Sequence, residues 1–282
     1  KGRRDELGSL LNYCNTKNSQ FLMLWGGPGI GKSSIVARLI QILRWPEYIR
    51  DEECKHLNFD IEATSSDEAD AEQSPEEVDQ PTPTKFIVIE YFIRRGQRTA
   101  STGYFLDNIN GRLEHTWKSG ISMGQNNSEK SRLLEERITF VANQLAPDQK
   151  IILLIDGIDE GSDDSEFLSC IPKELPEGFM AIYASRETPV VTQQLYENLD
   201  REKRHTNRLK GLATNDIRAI LSDTVSKYEI QAEFLEAVVA RSEGNPLYLN
   251  LLCNGILEGD YQLSDPSHLP NGMEELYATT LR

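Results

Sequence analysis

Long apolar runs are missing from this 282-residue chain. A membrane span needs about 18 to 20 consecutive apolar residues. The longest strand-like runs here, Phe86 to Ile89 and Ile151 to Ile155, stop far short of that, so the chain reads as soluble and no membrane partner is expected. Cysteine is scarce and scattered: Cys14, Cys54, Cys170 and Cys253 form no CxxC pair and have no neighbouring histidine. That spacing excludes a zinc framework and suits reduced thiols in a cytoplasmic protein. A basic excess is also missing. The formal net charge of −15 argues against direct nucleic-acid binding and against an anionic membrane as a default partner. Part of the acidity is local: residues 62–84 hold eight acidic side chains and no basic one, and without them the balance falls from −15 to −7. The chain opens at Lys1 without a signal-like apolar segment, which reads as an excised piece of something longer.

Glycine, by contrast, is concentrated where it has chemical meaning. Gly26-Gly27-Pro28-Gly29-Ile30-Gly31-Lys32-Ser33 fits the phosphate-binding pattern GxxxxGK(S/T) without a mismatch. Backbone N–H groups can wrap a phosphate chain only where the backbone takes unusual dihedrals and carries little side chain. Lys32 is placed to reach the β- and γ-phosphates, and the Ser33 hydroxyl to ligate the Mg²⁺ that bridges them. The flanks agree. Phe21 to Trp25 reads as a short buried strand, and Ser33 to Leu43 puts Ile35, Val36, Leu39, Ile40 and Leu43 on one helical face. The helix thereby aims its positive end, roughly half a unit charge, at the phosphates. Gly27, Gly29, Ile30, Gly31, Lys32, Ser33 and Ser34 are the candidate nucleotide-binding residues.

Ahead of this loop, Gly2 to Leu7 opens a helix with Leu7, Leu10 and Leu11 on one face. Behind it, residues 62–84 are rich in Ser, Asp, Glu and Pro and offer almost nothing to bury, so they read as a disordered insertion. Thr64-Ser65-Ser66 ahead of Asp67-Glu68 suits an acid-directed kinase, although a solvated loop is the plainer reading. Lys85 to Ile93 is the second strand, followed at its carboxyl end by Arg94, Arg95 and Arg98, where open parallel sheets bind ligands. Tyr104 to Trp117 and Ser131 to Leu145 read as amphipathic helices.

The second chemical element is Ile151 to Glu160. Five apolar residues suit a strand covered on both faces, and Asp156 at its end is the Walker B candidate for the Mg²⁺ shell. A further acid is needed to orient or deprotonate the attacking water, an effect of about 10² to 10⁴-fold. Asp159 is the first candidate and Glu160 the second. Gly178 to Ser185 makes a fourth strand ending at Arg186, which can reach a γ-phosphate. Arg201 to His205 reads as a solvated lead-in to a short strand Arg208 to Lys210. From Thr214, a candidate N-cap, the periodicity is helical, with Ala232 to Ser242 stopped by Gly244 and Asn245-Pro246 starting a helix to about Leu257. Met273, Leu276, Tyr277 and Leu281 mark a last amphipathic turn or two.

Together, GGPGIGKSS, IILLIDGIDE, AIYASRE and SEGNPLYLNLL resemble the STAND class of NTPases and, within it, the NACHT family. The opening GRRDELGSLL is similar to that family's lead-in GRexEL and adds Arg3 to the nucleotide-contacting candidates. The resemblance implies a doubly wound α/β P-loop NTPase with strand order 5-1-4-3-2, nucleotide-binding domain 1–211, and a helical subdomain over residues 212–282. It implies that Arg186 senses the γ-phosphate and that Pro246 of Gly244-Asn245-Pro246 packs against adenine. It further implies a slow ATP-hydrolysing signal-transduction switch, closed with ADP and homo-oligomeric with ATP, controlling innate immunity, programmed death or anti-phage defence. Effector and sensor domains are then expected elsewhere in a longer chain. No winged-helix segment follows the helical one within these residues, so the histidine that clamps ADP from there has no counterpart. A small-molecule kinase would need an acceptor pocket, for which the sequence carries no signature, and two further rivals stand beside this reading. An AAA+ motor or replication initiator has a similar lid, but one presenting an arginine to the phosphates, and Gly244 to Asn250 has none. A nucleotide-binding scaffold that never hydrolyses is the other.

Overall fold

A computed structural model describes residues 3–16, 20–45, 85–161, 164–224, 230–261, 263 and 265–280. The acidic insertion at 62–84 and Cys54 lie outside the described residues. In chain order the elements are α1 (Arg4–Asn15), β1 (Phe21–Trp25), α2 (Lys32–Arg44), β2 (Lys85–Phe92), α3 (Thr102–Trp117), α4 (Asn127–Ala142), β3 (Gln149–Asp156) and α5 (Asp164–Cys170). They continue with β4 (Phe179–Ser185), α6 (Pro189–Asn198), β5 (Arg204–Arg208), α7 (Thr214–Thr224), α8 (Ala232–Ser242), α9 (Pro246–Glu258) and α10 (Gly272–Thr280).

The five strands form one parallel sheet, β2-β3-β4-β1-β5, which read from its other edge is the expected order 5-1-4-3-2. Alternate residues of each strand face opposite sides, and helices cover both. Phe21, Met23, Trp25, Leu153, Ile155, Ala181 and Tyr183 face α3, α4, α5 and α6. Leu22, Leu24, Ile152, Leu154, Met180 and Ile182 face α1 and α2. Two-sided cover is why β1, β3 and β4 read as unbroken apolar runs. The helices α7 to α10 have their own core, in which Ile217, Leu221, Phe234, Val238, Tyr248 and Leu252 are buried.

Several boundaries differ from the sequence expectation. The fifth strand is Arg204–Arg208, so the basic stretch supplies the strand and does not merely lead into it. Among the described strands β5 is an edge, where polar residues are tolerated on both faces. The Arg204 guanidinium lies 4.0 Å from the centre of the Tyr196 ring, and His205 stacks on Tyr13 at 4.8 Å. Thr214 is the first helical residue and not the cap, because Ala213 O accepts from Ile217 N at 3.0 Å. The helix α4 starts four residues before Ser131: Asn126 caps it by accepting from Glu129 N at 3.0 Å, and Glu129 accepts from Gln125 N at 2.8 Å. Lys150 of β3 is buried with its Nζ donating at 2.9 Å to Cys14 O and Thr16 O, at the negative end of α1. Burial lowers its pKa, and burial raises that of the neighbouring Cys14 thiol to about 12, so the thiol is inert at neutral pH.

Candidate active site

The carboxyl ends of β1, β3 and β4 bring the predicted residues to one edge of the sheet. The loop from Gly26 to Gly31 leaves β1 and enters α2 at Lys32. The Lys32 Nζ donates to the carbonyls of Gly26 and Gly27 at 2.6 and 3.1 Å. Burial holds its pKa below the ordinary lysine value, a pull opposed by the carboxylates of Asp159 and Asp156.

The Ser33 Oγ donates to Asp156 Oδ2 at 2.6 Å, joining two side chains 123 positions apart in sequence. Burial raises the Asp156 pKa against the Ser33 hydrogen bond and the cations of Arg94 and Lys32. A hydroxyl and a carboxylate held together are the hard oxygen donors that Mg²⁺ takes, so Ser33 and Asp156 fit the metal role expected of them. Directly after Asp156, Gly157 has φ +82, and a Cβ there would lie 2.7 Å from Ile93 O. Only glycine lets this turn pass so close to the end of β2.

The two acids that follow have different surroundings. Asp159 is 5% exposed, and both of its oxygens are committed. Its Oδ1 accepts from Ser185 Oγ at 3.0 Å and from Arg186 N at 2.9 Å, while Oδ2 pairs with Arg186 Nε at 2.9 Å. Glu160 is 24% exposed, lies 3.7 Å from Arg186 Nη2, and accepts from Arg95 N at 3.1 Å. Arg95 also donates through Nη2 to Asp159 O at 3.0 Å, so the loop after β2 braces the turn that carries both acids.

Arg3 reaches the same loop from the other side. Its backbone is left-handed at φ +69, a conformation that costs a non-glycine residue about 1 to 2 kcal/mol. Its Nη2 donates to Ile30 O at 2.7 Å and its Nη1 pairs with Glu6 at 2.9 Å. Pro246 also arrives at the loop, since a Cβ on Gly31 would lie 3.7 Å from its Cγ. Ser34 is the third residue of α2 and is exposed. Thus Gly27, Gly29, Ile30, Gly31, Lys32, Ser33, Asp156, Asp159, Glu160, Arg186, Arg3 and Pro246 meet around one loop. Sequence reasoning missed the brace from Arg95, the Ser185 hydroxyl on Asp159, and the contact of Asn245 with the loop, although Asn245 was legible as a helix cap.

This fold and this loop define a P-loop NTPase. The chain belongs to the AAA ATPase domain family, whose model matches residues 1–182. No curated protein matches it. Among solved structures, it is similar to a Signal Transduction ATPase with Numerous Domains carrying a tetratricopeptide repeat sensor, from Pyrococcus horikoshii (16% identity, TM-score 0.50, 90% of this chain and 29% of that one). It is also similar to a Walker-type ATPase of Pyrococcus abyssi (13% identity, TM-score 0.51, 99% of this chain and 71% of that one). A third likeness is to the Aeropyrum pernix Orc1 protein, solved with DNA (14% identity, TM-score 0.50, 100% of this chain and 65% of that one). The chain therefore spans under a third of the first of these proteins and about two thirds of the Orc1 protein. At such identities the likeness is one of fold. No described helix is long and apolar enough to cross a membrane.

Proposed function

We propose that this domain is a slow, regulatory ATPase of the NACHT type, a switch whose conformation follows the nucleotide it holds. The observation that carries this reading is the pairing of Arg186 with Asp159 and Glu160 at the end of β4, between the P-loop strand and the Walker B strand. An arginine 44% exposed and held by two acids is available to exchange those acids for a γ-phosphate, so that its partner reports which nucleotide is bound.

Lys32 and the loop amides would hold the phosphate chain, and Arg3 would brace the loop through Ile30 O. Ser33 and Asp156 would hold Mg²⁺, which when bound neutralises phosphate charge. Of the two acids, Glu160 is the better candidate to orient the attacking water and take its proton, because Asp159 is occupied by Ser185 and Arg186. Asp159 then serves by aiming Arg186. Pro246 would close on the base. By the same reading the ATP state is a homo-oligomer, the effector and sensor segments belong to a longer cytoplasmic protein, and neither nucleic acid nor membrane is a direct partner.

The test is to denature freshly purified protein and to identify and count the nucleotide released. About one ADP per chain supports a switch resting in its closed state. An empty site with rapid ATP turnover points to a motor instead.

A further inference from the structure

One side chain of the helical subdomain makes two kinds of contact at the P-loop. The Oδ1 of Asn245 accepts from Leu247 N at 2.9 Å and Tyr248 N at 3.4 Å, capping α9. Its Nδ2 donates across the subdomain boundary to Pro28 O at 3.1 Å. A backbone bond runs beside it, from Leu247 N to Gly29 O at 3.3 Å. The approach is tight. Gly29 has φ +69, and a Cβ there would lie 2.8 Å from Asn245 Oδ1 and 3.0 Å from Leu247 Cβ.

The choice of side chain is informative. Serine, threonine, aspartate and asparagine all cap a helix, but the amide alone combines a capping oxygen with an N–H₂ group free to donate elsewhere. Aspartate in its place would still accept from Leu247 and Tyr248. It would offer Pro28 O no proton, and would set a carboxylate against a carbonyl. Capping alone therefore does not account for the contact to Pro28.

We propose that Asn245 is the positioning residue that couples the helical subdomain to the P-loop: α9 follows the placement of Pro28 and Gly29, which a bound phosphate chain sets. The coupling rests on the nucleotide-switch reading above and is reciprocal, so a loop ordered by nucleotide holds the subdomain shut and the docked subdomain slows nucleotide release.

The test compares Asn245→Asp and Asn245→Ala in the full 282-residue chain with Cys54→Ser. Nitroxides on Ala37→Cys of α2 and Leu257→Cys of α9, both exposed, report the separation of the two parts by pulsed electron resonance. Helix content by circular dichroism reports the cap, and stopped-flow release of a fluorescent ADP reports the coupling. Asn245→Asp is expected to keep wild-type helix content, to add a second, longer distance between the nitroxides, and to release ADP about 3- to 10-fold faster, the worth of one hydrogen bond. Asn245→Ala should lose helix content as well. Wild-type distances in Asn245→Asp would overturn the proposal and leave Asn245 a helix cap. A longer distance with unchanged ADP release would overturn it too, since the nucleotide would then not feel the contact. If the wild-type chain binds no nucleotide, the switch reading falls, while the nitroxide distances still decide whether Asn245 holds the two parts together.

Discussion

Replacing Asp159 and Glu160 one at a time by their amides tests the proposed division between an acid that builds the site and an acid that acts on water. In Asp159→Asn the amide oxygen can still accept from Ser185 Oγ and Arg186 N. The new N–H₂ group then meets Arg186 Nε, 2.9 Å from the original oxygen, so a donor faces a donor in a nearly closed space. The loss is one hydrogen bond to a charged group, about 1.5 to 3 kcal/mol. Arg186 is partly exposed and water can recover some of that, which leaves about 2 kcal/mol. For a domain of this size that lowers Tm by about 4 to 8 °C. Glu160→Gln removes an ion pair at 3.7 Å from a partly exposed position, worth under about 1 kcal/mol, so Tm should move by less than about 4 °C. The rates should run the other way: ATP turnover in Glu160→Gln is expected to fall by about 10² to 10⁴-fold with a normal fold. Differential scanning calorimetry and phosphate release under saturating ATP measure both quantities. Wild-type turnover in Glu160→Gln, together with a well-folded but inactive Asp159→Asn, would refute the division of roles.

Three further outcomes follow from the same geometry. Lys32→Ala should weaken triphosphate binding by about 10 to 150-fold, the worth of one charge-assisted hydrogen bond, measured by titration calorimetry; unchanged affinity would remove the phosphate role of the loop. Asp156→Asn should abolish Mg²⁺-dependent turnover and yet raise the Tm of the ligand-free protein by about 1 to 3 °C, because it removes a charge that burial disfavours. The folded state binds the Asp156 proton more tightly than the unfolded chain does. Its contribution to stability is therefore fully present below the ordinary value of 3.8 and is lost as pH rises through the raised folded value, so the gain from the substitution should be largest at neutral pH and vanish in acid. Pro246→Ala should weaken ADP while leaving inorganic triphosphate untouched, and equal weakening of both in a competition assay would show that Pro246 does not serve the base.

How much the sequence disclosed depended on how local the signal was. The P-loop was legible because its chemistry is carried by neighbours in the chain, and β3 because an apolar run covered on both faces needs no context. The strand β5 was misplaced because edge residues such as Arg204 and His205 owe their conformation to pairing with β1 and to the Tyr13 and Tyr196 rings. Other signals were present and passed over. Asn126 with Glu129 is a capping pair, and Thr188-Pro189 is a cap followed by a first-turn proline that starts α6. The different surroundings of Asp159 and Glu160 were beyond reach, since the contacts of Asp159 with Ser185 and Arg186 depend on β3 lying beside β4.

The position of β1 within the sheet has a consequence for synthesis. Its two neighbours, β4 and β5, begin at Phe179 and Arg204. The ribosome delivers them about 150 and 180 residues after Trp25, a wait of roughly 8 to 36 s at ordinary elongation speeds. Until then Phe21–Trp25 is a fully apolar segment without its partners, and the Asp159 carboxylate has neither Ser185 nor Arg186 to meet. A nascent chain therefore acquires its phosphate loop early in sequence and late in time, and the segment a chaperone has most reason to shield is the one immediately before the glycines.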